Sequence, residues 1–489
     1  MKNILIIILL VFVLNPDITL AQSTKQRLII LADMGHDPDD EQQIVHLLMG
    51  SYKFDLEGLI TVTGRFFRKN PTETVKDLRP ELFYKIIDGY EKVYPNLKLH
   101  AEGWKTPEYL KSIVANGQAG NGMKDVGAGK ATAGSDLIIN SVLKNDDRPL
   151  TIVANAGTNT LAQALYDYRA SHTKKELDAF VSKLRVFDNG GQDECGAWIC
   201  HEFPEIFWIR SNYQTRSFGG PSNNELGPIT WQPFENSPKG QHDWAKENIQ
   251  TNHGALGAVY PDRNVNDMFH FIGGGGTIPW MGALVPGLSD ISNPWWGGWS
   301  GRYSREKIAN VPGYSIVVPD ELQYYPYSAF TDGDGVSEKW VNPEDGKIYE
   351  GKNTAIWRWR QAMWNDLKCR MDWCVEPFEN ANHPPEAVIN GNKEASIKMM
   401  SVKAGEIISL DASASSDPDN DELDFNWWIY TEAGTYKEEI KLSDSNRSKM
   451  SIKIPSDAKG KSIHLILEVK DNSAIASLYD YRRIIFSVE

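Results

Sequence analysis

Residues 28–40 read Leu-Ile-Ile-Leu-Ala-Asp-Met-Gly-His-Asp-Pro-Asp-Asp, an apolar run that stops in four carboxylates within eight residues. Residues 28–31 have the length and unbroken apolarity of a strand buried on both faces, and residues 41–49 carry helical spacing. A strand that feeds a helix directly belongs to an α/β sheet. The carboxylates then fall at the strand's C-terminal end and the helix's N-terminal end, where open α/β sheets place ligands. Crowded carboxylates raise one another's pKa, so keeping all four ionised at neutral pH calls for a positive partner. A hard divalent ion with oxygen ligands is the natural one. An acidic cap on a solvated turn accounts for one or two such residues; four around Gly35 and Pro38 exceed it.

The chain has 489 residues, more than one hydrophobic core usually organises, so two or more domains are expected. Residues 56–62, 150–154 and 184–187 repeat the strand pattern of 28–31, and residues 81–93, 160–168 and 176–183 supply helices between and after them. The pattern predicts a mostly parallel sheet with flanking helices over residues 26–376. From about residue 212 the texture changes to Gly, Pro and Trp, in loops of the sort that build binding faces or simply fill space. Residues 377–388, centred on Asn382-His383-Pro384-Pro385, read as a linker. Beyond it, short alternating runs at 407–410, 423–430, 450–454 and 463–469 predict a β-sandwich over residues 389–489.

Lys2, the apolar run 4–14 and the small-residue site Thr19-Leu20-Ala21 predict a secretory signal peptide over residues 1–21, too short to stay in a bilayer as an anchor. The mature protein is expected to be periplasmic or secreted, with no membrane anchor after cleavage. A net charge of -14, from 65 acidic against 51 basic residues, argues against nucleic acid as a partner. Nothing in the sequence excludes a homo-oligomer. Export permits disulfides, and the cysteines form two local pairs, Cys195 with Cys200 and Cys369 with Cys374; zinc held by two C-x4-C units is the competing reading. If Cys369 and Cys374 shared one unbroken helix they would sit too far apart to bridge, so that helix must end between them or they pair elsewhere.

The opening strand, acidic loop and helix resemble the nucleoside hydrolases, whose signature is a strand ending in D-x-D-P-G-x-D-D. Closer still is the resemblance to exported bacterial relatives labelled cellulose-binding. Asn155-Ala156-Gly157-Thr158-Asn159-Thr160-Leu161-Ala162 is similar to the hydrolases' G-P-x-T-N-L-A turn, and residues 297–303, 357–360 and 382–385 are typical of the exported relatives. The resemblance implies calcium gripping two adjacent sugar hydroxyls and a water, while an Asp takes that water's proton as it attacks the anomeric carbon. Carried over, Asp33 is the base and a metal ligand, Asp39 and Asp40 are paired ligands with Asp37 as their rival, and a carbonyl near Asn159 or Thr158 completes the set. It implies an exported calcium-dependent hydrolase of N-ribosidic or glycan bonds, or a carbohydrate-binding protein using the same cleft. Two departures matter. Where the relatives carry a late carboxylate, this chain reads Gly275-Gly276-Thr277-Ile278-Pro279, and His242-Asp243 is misplaced for that role; the hydrolases' substrate-binding Asn falls near Thr63 or Gly64, with Arg65 next.

Other candidates are weaker. Asp188 and Asp193 stand near another strand's end, as cleft carboxylates or as caps. Trp295, Trp296 and Trp299 lie among glycines and offer either a sugar platform or packing, so Asp193, Trp296 and Trp299 join Asp37 as expected substrate contacts. Asp332-Gly333-Asp334, and Asp417 with Asp419 and Asp421 in an immunoglobulin-like segment, read as calcium turns or as ordinary acidic turns. No Walker loop, G-x-S-x-G elbow or H-E-x-x-H motif is present.

Overall fold

The computed structural model describes residues 25–35, 38–64, 68–70, 73–74, 78–218, 244–262, 264–265, 268–269, 276–309, 319–343 and 346–489. The expected signal peptide, Asp37, Arg65, His242-Asp243 and Gly275 lie outside them.

The first domain is built on eight strands: β1 (Arg27–Ala32), β2 (Asp55–Thr61), β3 (Val114–Asn116), β4 (Leu150–Ala154), β5 (Leu184–Asn189), β6 (Phe207–Ser211), β7 (Ser304–Ile308) and β8 (Tyr327–Thr331). They lie in the order β7-β8-β6-β5-β4-β1-β2-β3, all parallel but for β7, which runs antiparallel to β8 at the edge. Strand β1 occupies the centre, with Leu28 opposite Leu56 on one side and Thr151 on the other. Its unbroken apolarity has a direct cause. Leu28, Ile30 and Ala32 enter one core with Ile44, Val45 and Leu48, and Ile29 and Leu31 enter another with Ile138, Leu161 and Leu165. The first of those cores is supplied by helix α1 (Asp39–Met49), the second by α2 (Ala133–Val142) and α3 (Asn159–Ser171). Helices on both faces leave no solvated side to alternate against.

From β1 the chain winds outward through β2 to β3, then returns to β4 on the opposite flank of β1 and winds outward again through β5 and β6. The topology therefore reverses between β1 and β4, and a crevice outside the carboxyl ends of those two strands is where such sheets hold ligands.

The second domain comprises β9 (Lys398–Val402), β10 (Ile407–Asp411), β11 (Leu423–Ile429), β12 (Leu442–Ser443), β13 (Lys449–Lys453), β14 (Ser462–Asp471) and β15 (Tyr479–Val488), in sheets ordered β9-β15-β14-β11 and β10-β13-β12. Leu410, Trp427, Ile452, Leu467 and Phe486 fill the space between them, as in a β-sandwich.

The expected linker is a strap clamped at both ends. Asn382, 1% exposed, donates to Asp471 Oδ2 at 3.0 Å and to Ala476 O at 2.9 Å. His383 lies 2.9 Å from His100 Nδ1 on its Nε2 side, and its backbone N–H donates to Asp419 Oδ2 at 2.7 Å. Asp417 Oδ1 accepts the N–H groups of Asp419 (2.8 Å) and Asp421 (3.2 Å). The acidic turn around Asp417 thus serves to close a loop and dock the strap. Further contacts join the domains: Arg483 donates to Trp296 O at 2.6 Å, and Glu338 Oε1 accepts from Arg302 Nε at 2.7 Å and Tyr430 OH at 2.6 Å. Among the described residues no helix is long and apolar enough to cross a membrane.

Candidate functional site

Asp33 is the first residue past β1, and Asp39 and Asp40 open α1, so a single strand–turn–helix unit delivers all three to the switch point. The backbone N–H of Asp33 donates to Asp40 Oδ2 at 2.9 Å, which folds the acidic turn back on itself. Carboxylates in the first helical turn also meet the positive end of the macrodipole, which offsets part of their mutual repulsion. Asp40 is buried and Asp39 half-buried.

Three residues from other strand ends complete the cluster, and none of them was expected as a ligand from the sequence. Asn155 follows β4, and its Nδ2 lies 3.3 Å from Asp40 Oδ1. Its Oδ1 is buried and has no hydrogen-bond partner within the chain. Gln192, in the loop after β5, donates through Nε2 to Asn155 O at 2.7 Å. Gly64, just past β2, is where two oxygens converge: a methyl group added there would lie 2.7 Å from Asp33 Oδ2 and closer still to Gln192 Oε1. A side chain larger than hydrogen is thereby excluded beside Asp33. The signal for Asn155 was present, since it begins the Asn155–Ala162 motif, but the expected ligand was Asn159.

Asn159 is turned elsewhere. It is the first residue of α3; its Nδ2 donates to Gly120 O at 2.8 Å and its backbone N–H to Asp193 Oδ2 at 3.1 Å. Thr158 donates to Asp193 Oδ1 at 2.8 Å. Asp193 is 1% exposed, and its Oδ1 also accepts the N–H of Cys195, the first residue of α4 (Cys195–Glu202). Its two oxygens tie together the N-termini of two helices, so it is a clamp behind the cleft rather than a substrate contact. Burial pushes its carboxyl up to about 7. Asp188 at the end of β5 is wholly buried, and burial pushes it up to about 6, with the Arg210 guanidinium pulling the other way.

The remaining expectations are corrected by position. Trp299 is 2% exposed and packs edge-on to Tyr481 of the sandwich at 6.0 Å between centroids. Trp296 is half-buried against His464 of the same domain at 5.8 Å. Both seal the domain boundary instead of forming a platform for substrate. Asp332, fully buried, accepts from Ser211 Oγ at 2.7 Å and from the backbone N–H groups of Asn212, Tyr213 and Gln214 at 2.8 Å each. It holds the turn after β6 and is no calcium turn. The four cysteines are buried free thiols. Cys195 and Cys200 share the unbroken helix α4, where residues five apart point to different sides and lie too far apart to bridge. Cys369 lies in α5 (Arg360–Asp372), facing Ala476 O, while Cys374 lies beyond that helix against Met49 Sδ.

The late stretch does reach the site, without a carboxylate. A methyl group at Gly276 would lie 2.7 Å from Asn155 Cγ, so the segment packs on the residue that touches Asp40. Among the described residues, no three His, Cys, Asp or Glu side chains are grouped so as to hold a metal ion. The cluster is nonetheless all oxygen on its accepting side, with the carboxylates of Asp33 and Asp40 and the amides of Asn155 and Gln192, of which Asn155 Oδ1 is orphaned. That donor chemistry suits a hard cation, which takes neutral carbonyl oxygens alongside carboxylates.

Residues 27–303 match the family model described as cellulose-binding Sde182, nucleoside hydrolase-like domain, and residues 407–488 match that of the cellulose-binding protein Sde0182, C-terminal domain. The solved structure of a nucleoside hydrolase-related hypothetical protein from Saccharophagus degradans, described as associated with carbohydrate metabolism, is similar over 95% of this chain and 100% of that one, with 38% identity and a TM-score of 0.79. No curated protein matches the chain.

Proposed function

Because the chain belongs to the family of the cellulose-binding Sde182 proteins with a nucleoside-hydrolase-like domain, we propose that its switch-point crevice binds carbohydrate, with Asp33, Asp40, Asn155 and Gln192 gripping neighbouring sugar hydroxyls. The observation that carries the reading is the convergence of Asp33 Oδ2 and Gln192 Oε1 beside Gly64, next to an Asn155 Oδ1 that has no partner of its own. Buried acceptors without donors are costly, and sugar hydroxyls are donors that also accept. Calcium, held by Asp33 and Asp40 with Asp39 close by, would supply positive charge to hydroxyl oxygens. The reading includes export, with residues 1–21 removed.

A second reading is hydrolysis of a glycosidic bond, favoured by the place of Asp33 at the end of the central strand, where the resemblance puts the hydrolases' base. Asp33 would take one proton from a water whose oxygen bonds the anomeric carbon as the bond to the leaving group breaks. Recognition stands first because the late segment brings Gly276 rather than a carboxylate against Asn155.

Calorimetry with cellobiose and with a nucleoside, in calcium and after chelation, tests the proposal, alongside product analysis. Binding that needs calcium and is lost in Asp33→Ala is expected; calcium-dependent binding that is indifferent to Asp33→Ala overturns the assignment of the crevice. Product released by the wild type and not by Asp33→Ala establishes the second reading, and binding without product dismisses it.

A further inference from the structure

A second cleft lies elsewhere, between the two domains. It has a volume of about 600 Å³ and shares no residue with the acidic crevice. That size falls within the range of small-ligand sites. Its walls come from three places: a hairpin (Glu338–Val341 with Ile348–Gly351), the chain entering α5, and the sandwich strands β11, β14 and β15.

The lining combines aromatic faces with polar groups. Trp340, Trp428 and Tyr479 are half-buried, while Trp359 and Tyr481 form the deeper floor at 1% exposure each. Trp359 and Trp428 stand 5.8 Å apart with their rings tilted by 39°. Trp340, Trp428 and Tyr479 are the rings left partly open to the cleft. Beside them Asn426 Nδ2 donates to Glu468 Oε2 at 2.8 Å, leaving further donor and acceptor capacity on both groups. Charge is balanced locally: Arg358 meets Glu338 Oε2 at 3.0 Å and Lys339 meets Glu350 Oε1 at 2.8 Å. The Arg358 guanidinium also lies over the Trp428 ring at 5.3 Å, which stiffens that ring's position.

Aromatic faces flanked by amide and carboxyl groups, without unpaired charge, match one ligand chemistry well. The C–H faces of a pyranose ring are apolar and its equatorial hydroxyls point sideways into hydrogen bonds. We infer that this interdomain cleft is a second carbohydrate site, which binds a neutral oligosaccharide without calcium. A cation is superfluous here because the grip is by stacking. The wall holds Lys339, Arg358 and Arg360 beside Glu432 and Glu468, with Lys339 and Arg358 already paired to Glu350 and Glu338, so it offers an anionic glycan no surplus of positive charge.

The inference stands apart from the acidic crevice, and chelation separates them. Full-length protein in EDTA is titrated with cellohexaose, with a hexamer of galacturonic acid as the anionic comparison, reading heat and tryptophan fluorescence. Cellohexaose is expected to bind and the anionic hexamer not to. Trp428→Ala and Trp340→Ala should each weaken binding by at least about tenfold, the usual loss on truncating an aromatic anchor, and Asn426→Ala, at an exposed position, by less. Asp33→Asn should leave it unchanged. No binding in EDTA overturns the inference while leaving the calcium-dependent site standing. Binding that survives both tryptophan variants, each shown folded by circular dichroism, or that disappears in Asp33→Asn, also overturns it.

Discussion

Replacing Gly64 with Ala tests the acidic crevice at its tightest point. The new methyl would lie 2.7 Å from Asp33 Oδ2 and 3.0 Å from Ala156 Cβ. Such contacts settle near about 3.5 Å, so the Asp33 carboxylate must retreat by roughly 0.8 Å. Gln192 must move as well, and it cannot do so without giving up its 2.7 Å bond to Asn155 O. Loss of that bond costs about 1 kcal/mol, and local overpacking about 1–3 kcal/mol. The stiffer unfolded chain returns about 0.4–1 kcal/mol. The net loss, on the order of 1–3 kcal/mol, leaves a folded protein with a melting point lower by a few degrees. Displacing a positioned group by nearly 1 Å costs function about 100-fold, which at about 1.4 kcal/mol per tenfold is about 3 kcal/mol. Calorimetry of calcium-dependent cellobiose binding, paired with thermal melting, should therefore show affinity falling by about 100-fold in a protein that still folds. A folded Gly64→Ala protein that binds as the wild type does would refute the placement of Asp33 and Gln192 in one site.

Three further outcomes are expected. Asp188 and Asp471, each buried and each pushed up to about 6 by burial, hold their protons more tightly folded than unfolded. Folding thus costs their ionisation, and with Asp193 pushed up to about 7 by the same cause, stability should fall as pH rises from about 4 to 7 and level off above that; melts across this range that rise instead would contradict the burial of these groups. Because the cysteines are free, dithiothreitol should leave the melting temperature unchanged, and thiol titration should find four groups only after unfolding. Glu338→Ala strands Arg302 and Arg358 at the domain boundary. Removing one partner of a buried ion pair costs about 3–5 kcal/mol; calorimetric scans should resolve into two transitions where the wild type melts in one.

The sequence revealed what was local and periodic. Residues 28–31, 150–154 and 184–187 were legible because a strand buried on both faces must be apolar throughout, and the Asp33–Asp40 loop was legible because carboxylates rarely crowd without cause. Strand β7, Ser-Arg-Glu-Lys-Ile, escaped because an edge strand exposes one side and carries charge. The role of Asp332 escaped because its partners lie some 120 residues away, and an acidic Gly-rich turn looks the same whether it faces metal or backbone N–H groups. Trp296 and Trp299 were misread for a related reason. Gly297 and Gly298, at φ of +74° and +139°, bring the backbone close to Tyr430 and Ser289, so glycines that suggested an open loop are instead what permits tight packing. The roles of Asn155 and Gln192 became visible only when the sheet order set β4 beside β1 and β5 next to β4.

The clamped strap has a consequence for how the two domains work together. A sandwich on a slack tether searches a volume, and its benefit is a raised local concentration. Here Asn382 and His383 are pinned between Asp471, Asp419 and His100, so the sandwich cannot search. The acidic crevice and the aromatic cleft instead stand at a constant separation, like the jaws of a gauge. A polymer that reached both would have to match that span, so its chain length would bear on its binding.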